Sequence, residues 1–149
     1  MRHALKTIDI TEIGTDRNRL DTWTEAGANA ANRVRTELGV NYGNMTKTNG
    51  YIAVPLDGIW LRAPYLHNGS VPNLHDLLEP VERRTKVFYR GYDVYDPRNV
   101  GFEAQSEQAR RARFRFDTGE RGNGNQGHLY GADLPARQKD ALIEYLKTL

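Results

Sequence analysis

The chain contains no cysteine. Disulfides, thiolate metal sites, a nucleophilic thiol and covalent cofactor attachment through a C-x-x-C-H are therefore all excluded. Order has to come from apolar burial, hydrogen bonds and whatever the chain holds non-covalently. Apolar residues are 38% of the 149, below the roughly 45–50% of an average globular domain, so a thin core and long loops are expected. The length fits one domain over residues 1–149. With 21 basic against 19 acidic side chains the formal charge is only +2, which gives no reason to expect a nucleic-acid partner. No run approaches the roughly 18 apolar residues of a membrane span, and no apolar stretch follows Met1-Arg2-His3-Ala4-Leu5-Lys6, so neither a span nor a signal peptide is expected.

Residues 1–20 are polar and read as an extended lead-in that ends in a turn at Ile13-Gly14-Thr15-Asp16. Over 21–38, Trp23, Ala26, Ala30, Val34 and Leu38 recur at three or four residues and Gly39 follows, which predicts a helix with a glycine C′ residue. Residues 39–59 are loop with a short extended piece at 51–54. The stretch 72–80 predicts a two-turn helix with Leu74, Leu77 and Leu78 on one face between Pro72 and Pro80,. Residues 87–102, with Phe88, Tyr89, Tyr92 and Tyr95 around Gly91, suit a hairpin. Four glycines within 119–127 make that stretch loop,. The last helix is expected over 134–149, with Leu134, Ala141, Leu142, Tyr145, Leu146 and Leu149 as its apolar stripe,. Together these elements read as a mainly helical fold with long, glycine-rich loops and a small hairpin.

Among the four histidines, His3 and His75 read as solvated side chains. His67 stands where the aromatic stretch from Trp60 turns toward a helix, and His128 stands between Gly127 and Gly131, where glycine lets the backbone approach a flat ligand or take positive φ. For both, a metal-ligating reading stands beside that of a hydrogen-bonded structural histidine. The run Arg110-Arg111-Ala112-Arg113-Phe114-Arg115-Phe116 mixes basic and aromatic residues. At this charge it reads as a solvated or carboxylate-facing surface more readily than as a nucleic-acid face. Dinucleotide, phosphate-loop, nucleophile-elbow and zincin motifs are missing,, and no residue stands out as catalytic.

The segment Gly58-Ile59-Trp60-Leu61-Arg62-Ala63-Pro64-Tyr65-Leu66-His67-Asn68-Gly69-Ser70-Val71-Pro72-Asn73-Leu74 resembles the A-P-Y-hydrophobic-H-[ND]-G-S-V stretch of the di-haem cytochrome c peroxidase superfamily. Ile13-Gly14-Thr15-Asp16, Tyr95-Asp96-Pro97-Arg98-Asn99-Val100-Gly101-Phe102 and Gly124-Asn125-Gln126-Gly127-His128-Leu129-Tyr130-Gly131 extend the likeness over about residues 8–149. They resemble the C-terminal haem domain of the branch that includes the rubber oxygenases.

The resemblance implies a mainly α, cytochrome c-like fold around haem, electron transfer at an iron centre, and a periplasmic setting. As an oxidoreductase, the chain would be at most part of a haem peroxidase- or oxygenase-like enzyme. By similarity, Trp60, Arg62, Tyr65, Leu66 and His67 contact the cofactor, Arg62 and Tyr65 at the propionates and Trp60 and Leu66 as apolar wall. Where the peroxidase branch can place a ligating Met, fourteen residues past His67, this chain has Val81. His128 therefore becomes the expected axial ligand, with His67 second. The family's C-x-x-C-H and its N-terminal helix are missing, so the expectation is a partial domain of a longer cytochrome, marginally stable alone. Its partner would be a redox protein or the rest of that parent. The competing expectation is a haem-free protein-interaction module.

Overall fold

The computed structural model describes residues 5–40, 43–111 and 114–149. Of these, 32% are helical and 15% extended. The expectation of a mainly α fold is thus overturned: the elements are short, mixed, and interleaved with three two-stranded antiparallel ribbons. Glycine, proline and Asx caps recur too closely for long helices to propagate.

The lead-in is extended only at β1 (Thr7–Asp9), which pairs with β2 (Gly50–Ile52), Ile8 opposite Tyr51. Asp9 then caps α1 (Ile10–Ile13), its carboxylate accepting from the Thr11 amide at 2.8 Å, and Gly14 ends the helix in the left-handed region. The single helix expected over 21–38 is two, α2 (Asn18–Thr22) and α3 (Glu25–Glu37). Thr24 divides them, because its hydroxyl accepts from the Gly27 amide at 3.0 Å and starts a new helix,. The expected stripe does not face the core either. Ala28 is the buried residue of α3, while Trp23, Val34 and Leu38 are 39%, 52% and 72% exposed.

The main core joins the stretch around residue 65 to the two helices that follow it. Tyr65, Val71, Leu74, Leu77, Val100 and Ile143 are its buried centre. α4 (Leu74–Leu77) begins at Asn73, which caps the Asp76 amide at 2.7 Å, one residue later than the proline suggested. Its three leucines do share the buried face. α6 (Ala136–Leu146) packs against α4 through Ile143 and Leu146. The burial stripe of α6 is rotated from the expected one, since Tyr145 is 60% exposed and Lys139 is buried on Glu79 at 3.0 Å.

The hairpin expected over 87–102 is also corrected. β3 (Val87–Arg90) pairs with the distant β6 (Phe114–Asp117), Phe88 opposite Phe116 with ring centroids 5.1 Å apart. Only β4 (Tyr95–Asp96) and β5 (Gly101–Phe102) form a local hairpin. α5 (Glu107–Arg111) precedes β6, so the basic-aromatic run is divided between a helix end and a strand. Ala112 and Arg113 of that run, and His3, lie outside the described residues. No helix among the described residues is long and apolar enough to cross a membrane.

Candidate functional site

Two loops meet on one side of the core. The first is closed by Tyr65 and Val71, whose amides and carbonyls exchange hydrogen bonds of 2.7 and 3.3 Å. Between them Leu66 has φ 64° and Gly69 φ 67°. Leu66 is held there against its own steric preference, and the loop it shapes carries His67. Arg19 donates to the His67 carbonyl at 2.7 Å, and the Asn68 amide group donates to the carbonyls of Gly122 and Gly124 at 3.1 and 2.9 Å. The glycine-rich stretch 119–127, irregular as expected, is thereby fastened to the His67 turn.

The second loop carries His128, itself at φ 49°, and its amide donates to the Ile13 carbonyl at 2.7 Å. Gly127 makes that approach possible: at φ 77° a Cβ there would lie 2.3 Å from the Gly14 carbonyl carbon. Glycine therefore serves a close backbone-to-backbone contact as well as the turn.

Arg84 fixes the same loop from beneath. Only 1% exposed, it donates from Nη1 to the carbonyls of Asn125 (2.6 Å) and Gly127 (2.8 Å). Nη2 donates to those of Leu77 (3.0 Å) and His128 (3.1 Å), and Nε to that of Glu79 (3.0 Å). Five carbonyls satisfy the guanidinium's fixed fork, an arrangement lysine cannot copy. Burial lowers its proton affinity, which the nearby Asp76 carboxylate opposes.

Between the loops and the β1–β2 ribbon lies a cavity of about 440 Å³, within the range of small-molecule and cofactor sites. Ile8, Ile13, Ile52, Leu56, Ile59 and Leu66 contribute apolar wall. Thr15, Tyr51, His67 and His128 also line it, and each has a buried polar atom without a hydrogen-bond partner: Thr15 Oγ1, Tyr51 OH, His67 Nε2 and His128 Nδ1. Leaving such an atom unpaired costs about 1–3 kcal/mol. Four around one apolar cavity is the pattern of a site shaped for a ligand that satisfies them. Burial is the chief cause lowering the basicity of both histidines and raising that of Tyr51. At neutral pH the cavity thus presents neutral imidazoles, the form that ligates metal.

Leu66, His67 and His128 meet at this cavity. Trp60, Arg62 and Tyr65 stand behind it. The Trp60 ring packs edge-on to Tyr95 at 6.5 Å, and Arg62 donates to the carbonyls of Asp57 (2.6 Å) and Pro55 (3.4 Å). The Tyr65 hydroxyl donates toward the carbonyls of Ile59 (3.0 Å) and Val100 (3.3 Å). His75 is exposed, as expected. Sequence reasoning passed over Thr15, Tyr51 and Arg84. Tyr51 offers one signal, an aromatic residue in the short extended piece 51–54, whereas Arg84 beside Glu82 and Arg83 gives no signal of burial.

Residues 50–89, which contain Tyr51, the His67 turn and Arg84, match the family described as RoxA-like, cytochrome c-like. Over this segment the resemblance read from the sequence holds, with the C-x-x-C-H absent from a chain without cysteine. Two proteins of Sinorhizobium fredii (strain NBRC 101917 / NGR234) are similar. The uncharacterized protein y4iJ is 44% identical over 108 residues, 66% of this chain and 18% of y4iJ. The uncharacterized protein y4iM is 55% identical over 53 residues, 36% of this chain and 12% of y4iM. The chain thus matches only a minor part of these relatives' length.

Proposed function

We propose that the domain holds haem non-covalently in the cavity between the His67 and His128 loops and serves one-electron transfer. The observation that carries this reading is the pair of imidazoles, each with an orphaned buried nitrogen, in the wall of one apolar cavity. Imidazole suits iron, and an apolar wall suits a macrocycle. His128 is the proposed axial ligand and His67 the second. Bound haem would supply the electron-accepting centre. The chain's own part is to hold the backbone of the two histidine loops through Asn68, Arg19 and Arg84, and to line the cavity with Ile8, Leu56, Ile59 and Leu66. No general acid or base is assigned, so any peroxidase or oxygenase chemistry would be completed elsewhere in a longer parent. A periplasmic setting and a redox-protein partner belong to the same reading.

The test is a haemin titration of the full chain followed by its Soret and visible bands, with His128→Ala and His67→Ala in parallel. A low-spin spectrum that His128→Ala abolishes supports the assignment. Failure of the wild-type chain to bind haemin removes it.

The exposed apolar residues on and flanking α3, Trp23, Val34 and Leu38, favour a second reading as a haem-free interaction module. A colourless chain that self-associates through this face is the outcome that selects it.

A further inference from the structure

The cavity places Tyr51 against His67 in a way that the proposed haem site does not by itself require. The two rings stack with centroids 4.7 Å apart and planes 18° from parallel. Tyr51 is fixed on β2 by the pairing of Ile8 with Tyr51. Gly50 before it allows the ribbon to close, since a Cβ there would lie 2.0 Å from the Ile8 carbonyl oxygen. His67 sits in a loop held by its own carbonyl and by Asn68, and neither bond restrains its χ2. No hydrogen bond fixes the imidazole plane: Nε2 is buried and unpaired. A ligating histidine is ordinarily oriented by a hydrogen bond to its other nitrogen; here a stacked phenol ring lies against the imidazole instead.

From this geometry we infer that Tyr51 is a positioning residue for His67, holding the imidazole plane at the cavity wall, and that its unpaired phenol donates to an oxygen atom of the group bound there. The inference rests on the haem reading for the second half only. Stacked aromatic pairs are worth about 0.5–1.5 kcal/mol beyond their area, enough to select one ring orientation over its alternatives. The hydroxyl is buried without a partner, so it offers a free donor.

Two variants separate the ring from the hydroxyl: Tyr51→Phe keeps the stack and Tyr51→Leu removes it. Proton NMR of the haem-free chain reads the imidazole C–H resonances of His67, and haemin titration reads affinity. The ring-current shift of His67 is expected to survive in Tyr51→Phe and vanish in Tyr51→Leu. Haemin affinity should fall about 10-fold in Tyr51→Leu, the size of an orienting-residue effect on a metal site, and measurably less in Tyr51→Phe. Unchanged His67 resonances in Tyr51→Leu overturn the positioning role, and equal haemin affinity of wild type and Tyr51→Phe overturns the donor role. Should Tyr51→Leu fail to fold, cross-ring NOEs between Tyr51 and His67 in the wild-type chain decide the positioning role, and their absence overturns it. If wild type takes no haemin, the proposed function and the donor role fall, while the NMR result still stands or falls alone.

Discussion

The Nη2 of Arg84 donates to the main-chain oxygen of His128 at 3.1 Å, so a residue in the turn that follows α4 and Pro80 holds the backbone of a cavity-lining histidine 44 positions away. Arg84→Met keeps the aliphatic stem and strips donors from five carbonyls. Charge-assisted hydrogen bonds contribute more than neutral ones and unpaired buried acceptors are costly, so a loss of at least about 3 kcal/mol is expected. Urea denaturation measures it, and a loss below about 1 kcal/mol would mean that water replaces the guanidinium freely. Arg84→Lys should rescue little of the loss.

Gly127→Ala should be as informative in the second loop. The added Cβ meets the Gly14 backbone at 2.3 Å and φ is 77°, so the loop must move away from Ile13. A destabilisation of about 2 kcal/mol is expected. The amide of His128, now donating to Ile13, should lose hydrogen-exchange protection. Gly39→Ala, where nothing lies within 4 Å at a similar φ of 67°, isolates the conformational part and should cost less.

Stability should decline as the pH is lowered through the histidine range. Burial holds His67 and His128 below the ordinary value of 6.5, so the unfolded chain takes up protons first. The folded state is fully favoured above about pH 6.5 and loses ground as the pH falls from there through the folded-state values. Asp76 works in the opposite sense: burial raises it, so its contribution is lost as the pH rises through its folded value. The urea midpoint at pH 5.5 is therefore expected below that at pH 7.5, and the drop should shrink in a His67→Gln/His128→Gln double variant. An undiminished drop assigns the effect to other groups.

The outward face of α3 makes a contrary prediction to the one its sequence suggests. Val34→Lys and Leu38→Lys should each change stability by no more than about 0.5 kcal/mol, because both side chains already stand in solvent,. A loss above 2 kcal/mol in either would place that face against a core. Sedimentation of wild type and the double variant reports whether the stripe drives self-association.

What the sequence disclosed depended on how local the determinants were. The Leu74, Leu77 and Leu78 face was legible because apolar periodicity and burial coincide there, and the C-terminal helix was legible as an element although its buried stripe is rotated toward Lys139 and Ile143. The glycine-rich stretch 119–127 was legible from composition, and the His67 and His128 loops from motif resemblance. The pairing of β3 with β6 was not, since Phe88 and Phe116 find each other across a ribbon and a helix, and a short aromatic run looks the same whichever strand it meets. The α3 stripe misled because Thr24 restarts the helix and turns Ala28, instead of Val34, inward. Arg84 was invisible for a different reason: its burial depends on five carbonyls that converge only after the loops have folded.

Both cavity histidines ride on irregular backbone, fastened to the remainder mainly by polar clamps at Asn68, Arg19 and Arg84. Hydrogen bonds between loops release locally at a fraction of the free energy needed to separate packed helices. The two cavity loops should therefore open more readily than the α4–α6 core, although Ile59 and Leu66 belong to both. A rigid planar guest could enter after the protein has folded, through a brief parting of the two loops, while Leu74 and Ile143 stay in contact. Loading would then be a binding equilibrium rather than an event of chain assembly, and its rate would be set by the clamps.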